Sequence, residues 1–186
     1  MNYEKLIDKI AEQNDASKDE LISIITNDNS QNDEYLFSKA DALRQEIYGK
    51  DVYIRGLIEF TNYCKNDCLY CGIRHSNKNA ERYRLSEEDI LDCCKTGYKL
   101  GFRTFVLQGG EDPYYTDELI CDIVHSIKKL YPDCALTLSL GEKSYDSYLA
   151  FYNAGADSYL LSNETENEQH YKKLHPPAMS FKHRMQ

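Results

Sequence analysis

The chain has 186 residues, a formal charge of −9, sixteen tyrosines and no tryptophan. That length suits one domain with a sizeable core, and the acidic balance argues against nucleic acid, whose phosphates call for surplus lysine and arginine. No apolar run approaches the ~20 residues of a membrane span.

Charges interrupt "MNYEKLIDKI" where a signal peptide would be apolar, so a cytoplasmic protein is expected. Its seven cysteines are then thiols and metal ligands rather than a disulfide framework. Three helices are predicted first. Leu6, Ile7 and Ile10 share a face of one. Ser17, with Glu20 three residues on, forms a capping box ahead of Leu21, Ile22, Ile24 and Ile25. Leu36, Phe37, Ala40, Leu43 and Ile47 repeat at helical spacing before Gly49. Residues 1–50 carry eleven acidic and six basic side chains and read as a helical extension with a solvated face.

From Asp51 the pattern becomes strand, loop, helix, and recurs. "VYIRGLIEF" (52–60), "RTFVLQ" (103–108), "ALTLSL" (135–140) and "DSYLLS" (157–162) are the predicted strands. Helices capped by Ser86 and Thr116, and one over 144–154 closed by Gly155, lie between them. Such alternation means a parallel sheet, either doubly wound or of (β/α) barrel type. The polar motifs follow strands one, two and four, the edge where both architectures place active sites. A barrel needs eight strands. Residues 51–186 therefore read as the N-terminal half of a TIM-barrel-like core, about four βα units, with unpaired edges at both outer strands. Such a half is not expected to turn over by itself.

The loop after strand one, "FTNYCKNDCLYCG" (60–72), spaces Cys64, Cys68 and Cys71 as C-x3-C-x2-C. A structural zinc site completed by His75 is one reading. Against it stand the loop's position after a parallel strand, Tyr70 between the last two cysteines, and a Gly-Gly-Glu after the next strand. A [4Fe–4S] cluster fits better: each iron takes one outside ligand, so three thiolates leave one iron open for a chelating small molecule. The basic run that follows, Arg74, Lys78, Arg82 and Arg84 against Glu81 alone, is an exposed loop or an offset to bound negative charge.

C-x3-C-x2-C is the spacing of the radical S-adenosylmethionine (SAM) enzymes, which this chain resembles. The resemblance implies that the open iron binds the amine and carboxylate of SAM, and that one electron cleaves it to methionine and a 5′-deoxyadenosyl radical. It also implies SAM contacts from Tyr70, from Gly109, Gly110 and Glu111 after strand two, and from Ser139 on strand three, beside Thr137. Glu164 after strand four would bind the ribose or amine, and Arg184 the methionine carboxylate. Without the resemblance, Gly109 and Gly110 are a turn, Ser139 reflects strand preference and Arg184 is an exposed helix-start residue. Cys93, Cys94, Cys121 and Cys134 read as small buried hydrophobes. His125, His170 and His175 receive no ligand role.

Within that superfamily "CLYCGIR", "FVLQGGEDPYY", "NAGADSYLL" and "ETENEQHYKKLHPPAMSF" resemble the iron–iron hydrogenase maturase of the biotin-synthase-like group. The implied partners are a small-molecule or organometallic substrate, other hydrogenase maturation proteins and an electron donor. That family has an Arg-His pair before the Glu-Thr after strand four, where this chain has Ser162 and Asn163. The change removes an arginine from the substrate edge. A methylornithine synthase shares the "GEDP" segment, while the "CKYCPQ"-like stretch of biotin synthase is absent.

Overall fold

The computed structural model describes residues 3–185, in two compact units that divide between Tyr53 and Ile54. The first holds α1 (Tyr3–Gln13), α2 (Lys18–Ile25) and α3 (Ser30–Tyr48). Ser17 and Glu20 form the expected capping box, and Lys9 ties α1 to it by a 2.6 Å ion pair with Glu20. Asp8 on α1 accepts from Tyr35 on α3 at 2.8 Å and pairs with Lys39. α3 begins earlier than its apolar stripe predicts, because Asn29 caps it through the Gln31 N–H. Leu6 and Ile7 are buried, whereas Phe37 and Ile47 stay exposed.

The second unit runs β1 (Gly56–Thr61), α4 (Glu87–Lys99), β2 (Thr104–Gly109), α5 (Asp117–Leu130), β3 (Ala135–Ser139), α6 (Tyr145–Ala154), β4 (Ser158–Tyr159), α7 (Glu168–Leu174) and α8 (Phe181–Arg184). The strands are parallel and lie in chain order, β1-β2-β3-β4. A doubly wound sheet would reverse its order at a switch point. Sequential order with same-handed crossovers puts the three crossover helices, α4, α5 and α6, on one face, and the core agrees. Ile58, Phe60, Phe105, Leu107, Leu136 and Leu138 pack in one cluster with Ile90 of α4, Ile120 and Val124 of α5, and Phe151 of α6. The architecture is that of a partial TIM-barrel-like core.

The opposite face carries Leu57, Val106 and Thr137 in one row of paired residues and Glu59, Gln108 and Ser139 in the next. Two strands are shorter than predicted. β1 starts at Gly56, opposite Phe105, because Val52, Tyr53 and Ile54 have no strand beside them and lie exposed. β4 pairs only through Ser158 and Tyr159. α7 was not predicted: Tyr171 is its one buried side chain, too little for a periodic stripe. Among the described residues no helix is long and apolar enough to cross a membrane.

Candidate functional site

The cysteine loop leaves the C-terminal end of β1 and is shaped from within by arginines. The Arg82 guanidinium donates to the carbonyls of Asn62, Ile73, Arg74 and Asn77, the last three at 2.8, 2.8 and 3.1 Å. Arg74 donates to the Cys71 carbonyl at 3.0 Å. Arg84 forks onto Asp112 at 2.6 and 2.9 Å, and its guanidinium carbon lies 4.0 Å from the centre of the Tyr63 ring. The basic run is thus largely consumed inside the structure: three of its four cations hold backbone or a buried carboxylate. Charge counting cannot separate that from a free basic surface.

The Gly-Gly-Glu turn after β2 lies against this loop. Gly110 N–H donates to the Thr61 carbonyl, and Lys65 N–H to the Glu111 carbonyl at 2.9 Å. A Cβ on Gly110 would sit 2.1 Å from the Tyr63 carbonyl oxygen and 2.7 Å from Cys64 Cβ, so the approach requires glycine. Glu111 is half-buried. Its carboxylate meets Lys65 Nζ at 3.1 Å and the Glu142 N–H at 3.3 Å. Gly141, at φ +79°, makes room for it: a Cβ there would fall 2.1 Å from Glu111 Cγ.

A third wall comes from the segment after β4. Leu69 N–H donates to the Leu174 carbonyl at 2.9 Å, Tyr70 Oη lies 3.4 Å from His175 Nε2, and Cys68 Sγ lies 3.7 Å from Met179 Sδ. An open cleft of about 700 Å³ runs between these walls, lined by Lys65, Glu111, Glu142, Lys143, Met179 and His183 among others. Glu164 is exposed beside Tyr70, whose hydroxyl is pushed upward by burial, with Cys68 and Glu164 adding to the effect. Arg184 bonds Glu142 at 2.8 Å, and its Nε is buried without a partner. Ser139 stands at the end of β3 in register with Gln108. Tyr70, Gly109, Gly110, Glu111, Glu164 and the three cysteines therefore gather at one edge of the sheet. Arg184 reaches the same edge through Glu142. Sequence reasoning gives no role to Asp112, Glu142 or Met179, counts Arg82 only as one charge of the basic run, and gives His175 no ligand role. Asp112, directly after Gly-Gly-Glu, and Arg82, inside the basic run, lie in motifs that could have drawn attention to them.

The model of the radical SAM superfamily matches residues 58–186. The chain belongs to that family. Relatives at higher resolution of identity include the FeFe hydrogenase maturase subunit HydE of Thermotoga maritima, 47% identical over 152 residues, 82% of this chain and 43% of the relative. The 3-methylornithine synthase of Methanosarcina acetivorans is 32% identical over 95% of this chain and 50% of its own length. Among solved structures, methylornithine synthase (PylB) superposes with a TM-score of 0.82 at 30% identity, covering 97% of this chain and 53% of that one. The chain spans about half the length of the curated relatives it matches.

Radical SAM enzymes use a [4Fe–4S] cluster and SAM, and the residues present suit that pair. Cys64, Cys68 and Cys71 are free, half-buried thiols. Burial pushes Cys68 up, a Tyr70 hydrogen bond opposes it, and the neighbouring Cys64 and Cys71 add to the rise. Among the described residues no three His, Cys, Asp or Glu side chains converge on one point.

Proposed function

We propose that this chain supplies the cluster- and SAM-binding half of a radical SAM enzyme acting in maturation of the iron–iron hydrogenase active site. The observation that carries the reading is the cysteine loop seated on the Gly-Gly-Glu turn, with Gly110 against Cys64. When bound, the cluster supplies the electron that cleaves SAM to methionine and a 5′-deoxyadenosyl radical. Cys64, Cys68 and Cys71 hold it. Gly109 and Gly110 let backbone approach the cofactor closely, and Glu111, braced by Lys65 and the Glu142 N–H, offers a carboxylate to its amine. Arg184, held at this edge by Glu142, brings a planar guanidinium suited to a carboxylate. The 47% identity to HydE favours maturation. The PylB-like fold over 97% of the chain and the "GEDP" segment support a methylornithine synthase-like mutase as the second reading.

Anaerobic reconstitution with iron and sulfide tests the reading. About four irons per chain are expected, with a sharp fall in Cys68→Ala, because each thiolate holds one iron. Stoichiometric zinc and no iron uptake would refute it. Replacing Glu164 or Arg184 by Ala is expected to weaken SAM binding by about 1–2 kcal/mol, the scale of a charge-assisted hydrogen bond on a partly exposed edge, and to leave iron content unchanged. Titration calorimetry under nitrogen measures it; unaltered affinity in both variants removes them from the SAM site.

A further inference from the structure

His175 is one of the few buried polar side chains of the fold, 2% exposed, and the cofactor reading gives it no task. Its surroundings define its state. Nδ1 lies 3.1 Å from the Tyr171 carbonyl oxygen. A carbonyl can only accept, so Nδ1 carries the proton. In the neutral ring Nε2 is then an acceptor, and the Tyr70 hydroxyl at 3.4 Å is the donor facing it. The imidazole stacks on Tyr171, centroids 3.9 Å apart, and meets the Tyr70 ring edge-on at 5.5 Å. The ring is packed between the two tyrosines.

Tyr70 sits between Cys68 and Cys71. The backbone next to it is held by the same segment, through Leu69 N–H to the Leu174 carbonyl, and Met179 touches Cys68. Between the last two cysteines the loop's own backbone bond is a local turn, Cys71 N–H to the Cys68 carbonyl at 3.0 Å, and His75 N–H closes the loop on the Asn66 carbonyl at 2.8 Å. The Gly-Gly-Glu turn places the first half of the loop, through Lys65 N–H to the Glu111 carbonyl, and the segment after β4 places the second.

We infer that His175 is a positioning residue for the cysteine loop, acting through the Tyr70 hydroxyl to fix Cys68 and Cys71 relative to the segment after β4. The inference deepens the cluster-binding reading and takes its catalytic meaning from it. The fixation itself is a property of the metal-free chain, so it is measurable apart from the cluster.

The test follows hydrogen–deuterium exchange over residues 67–72 and alkylation of Cys68 and Cys71 by iodoacetamide, in the metal-free chain, by peptide mass spectrometry. His175→Leu keeps an apolar side chain against Tyr171 but removes both nitrogens. Exchange and alkylation are expected to rise about tenfold, a local opening that leaves the global melt in place. His175→Gln, whose carbonyl oxygen can accept from Tyr70, is expected to restore the parent rates. Tyr70→Phe, which also removes the hydroxyl's bonds with Cys68 and Glu164, should open the loop at least as far as His175→Leu, and the double variant should open no further than Tyr70→Phe, because the Tyr70–His175 contact is then already lost. Parent rates in Tyr70→Phe, or a Gln variant as fast as Leu, would overturn the inference; the Gln and Phe variants decide it even if His175→Leu fails to fold. A parent chain that takes up no iron overturns the cluster reading, while the exchange rates still decide the role of His175.

Discussion

Replacing Asp112 by Ala is expected to lower unfolding stability by about 2–3 kcal/mol, the scale for losing a buried carboxylate that accepts several charge-assisted bonds. Its side chain is 1% exposed. It accepts from Arg84 twice, from the Thr61 hydroxyl at 2.8 Å and from the Tyr114 N–H at 3.1 Å. Arg84 is 35% exposed, so once abandoned it regains water, which keeps the loss below that of a fully buried pair. Burial alone would raise the Asp112 pKa, but the bonds from Arg84, Tyr114 and Thr61 together hold it below the ordinary value. The sign follows. A carboxylate depressed in the folded state contributes fully above the unfolded pKa of about 4 and loses that contribution as pH falls through the folded value. The melting difference between parent and Asp112→Ala should therefore close on acidification below about pH 4. A gap that persists undiminished down to pH 2 would contradict the assignment.

Arg82→Ala is expected to release the cysteine loop at about 2–4 kcal/mol, the scale of one or two charged hydrogen bonds net of water, because the four carbonyls that the guanidinium satisfies lie on a partly exposed loop and regain water when it is removed. Lysine should recover less than half of the loss, because an ammonium lacks the planar fork that reaches several carbonyls at once. Urea unfolding of parent, Lys and Ala variants measures the ordering. Limited proteolysis should show new cleavage between residues 62 and 80. A Lys variant equal to the parent would mean that charge alone, and not geometry, shapes the loop.

What could be read from the sequence was what short range determines. Ser17, Ser86 and Thr116 cap helices where predicted, because a cap is settled by three or four neighbouring residues. The four strands and their parallel order follow from alternation with helices, and the cysteine spacing carries the family. The ends of β1 and β4 were misplaced because a strand's length is set by its neighbour: "VYI" has β-forming side chains but no partner backbone. Arg82, Asp112 and His175 were illegible for a related reason. Their roles depend on which distant carbonyl or hydroxyl the fold brings within 3 Å or so, and neither composition nor period encodes that.

The loop that bears the cysteines is finished by a residue made long after it. Cys68 and Met179 are 111 positions apart, and at a synthesis rate of about 5–20 residues per second that gap lasts roughly 5–20 s. During it the nascent chain displays three thiols on a loop whose third wall does not yet exist. Closing so long a span carries an entropy cost that the early βα units must first offset by burying their own core. The wall that Leu174, His175 and Met179 supply can therefore form only after the cysteine loop itself has been made. Iron offered before α7 has emerged meets a slack ligand set, and iron offered afterwards meets a formed one.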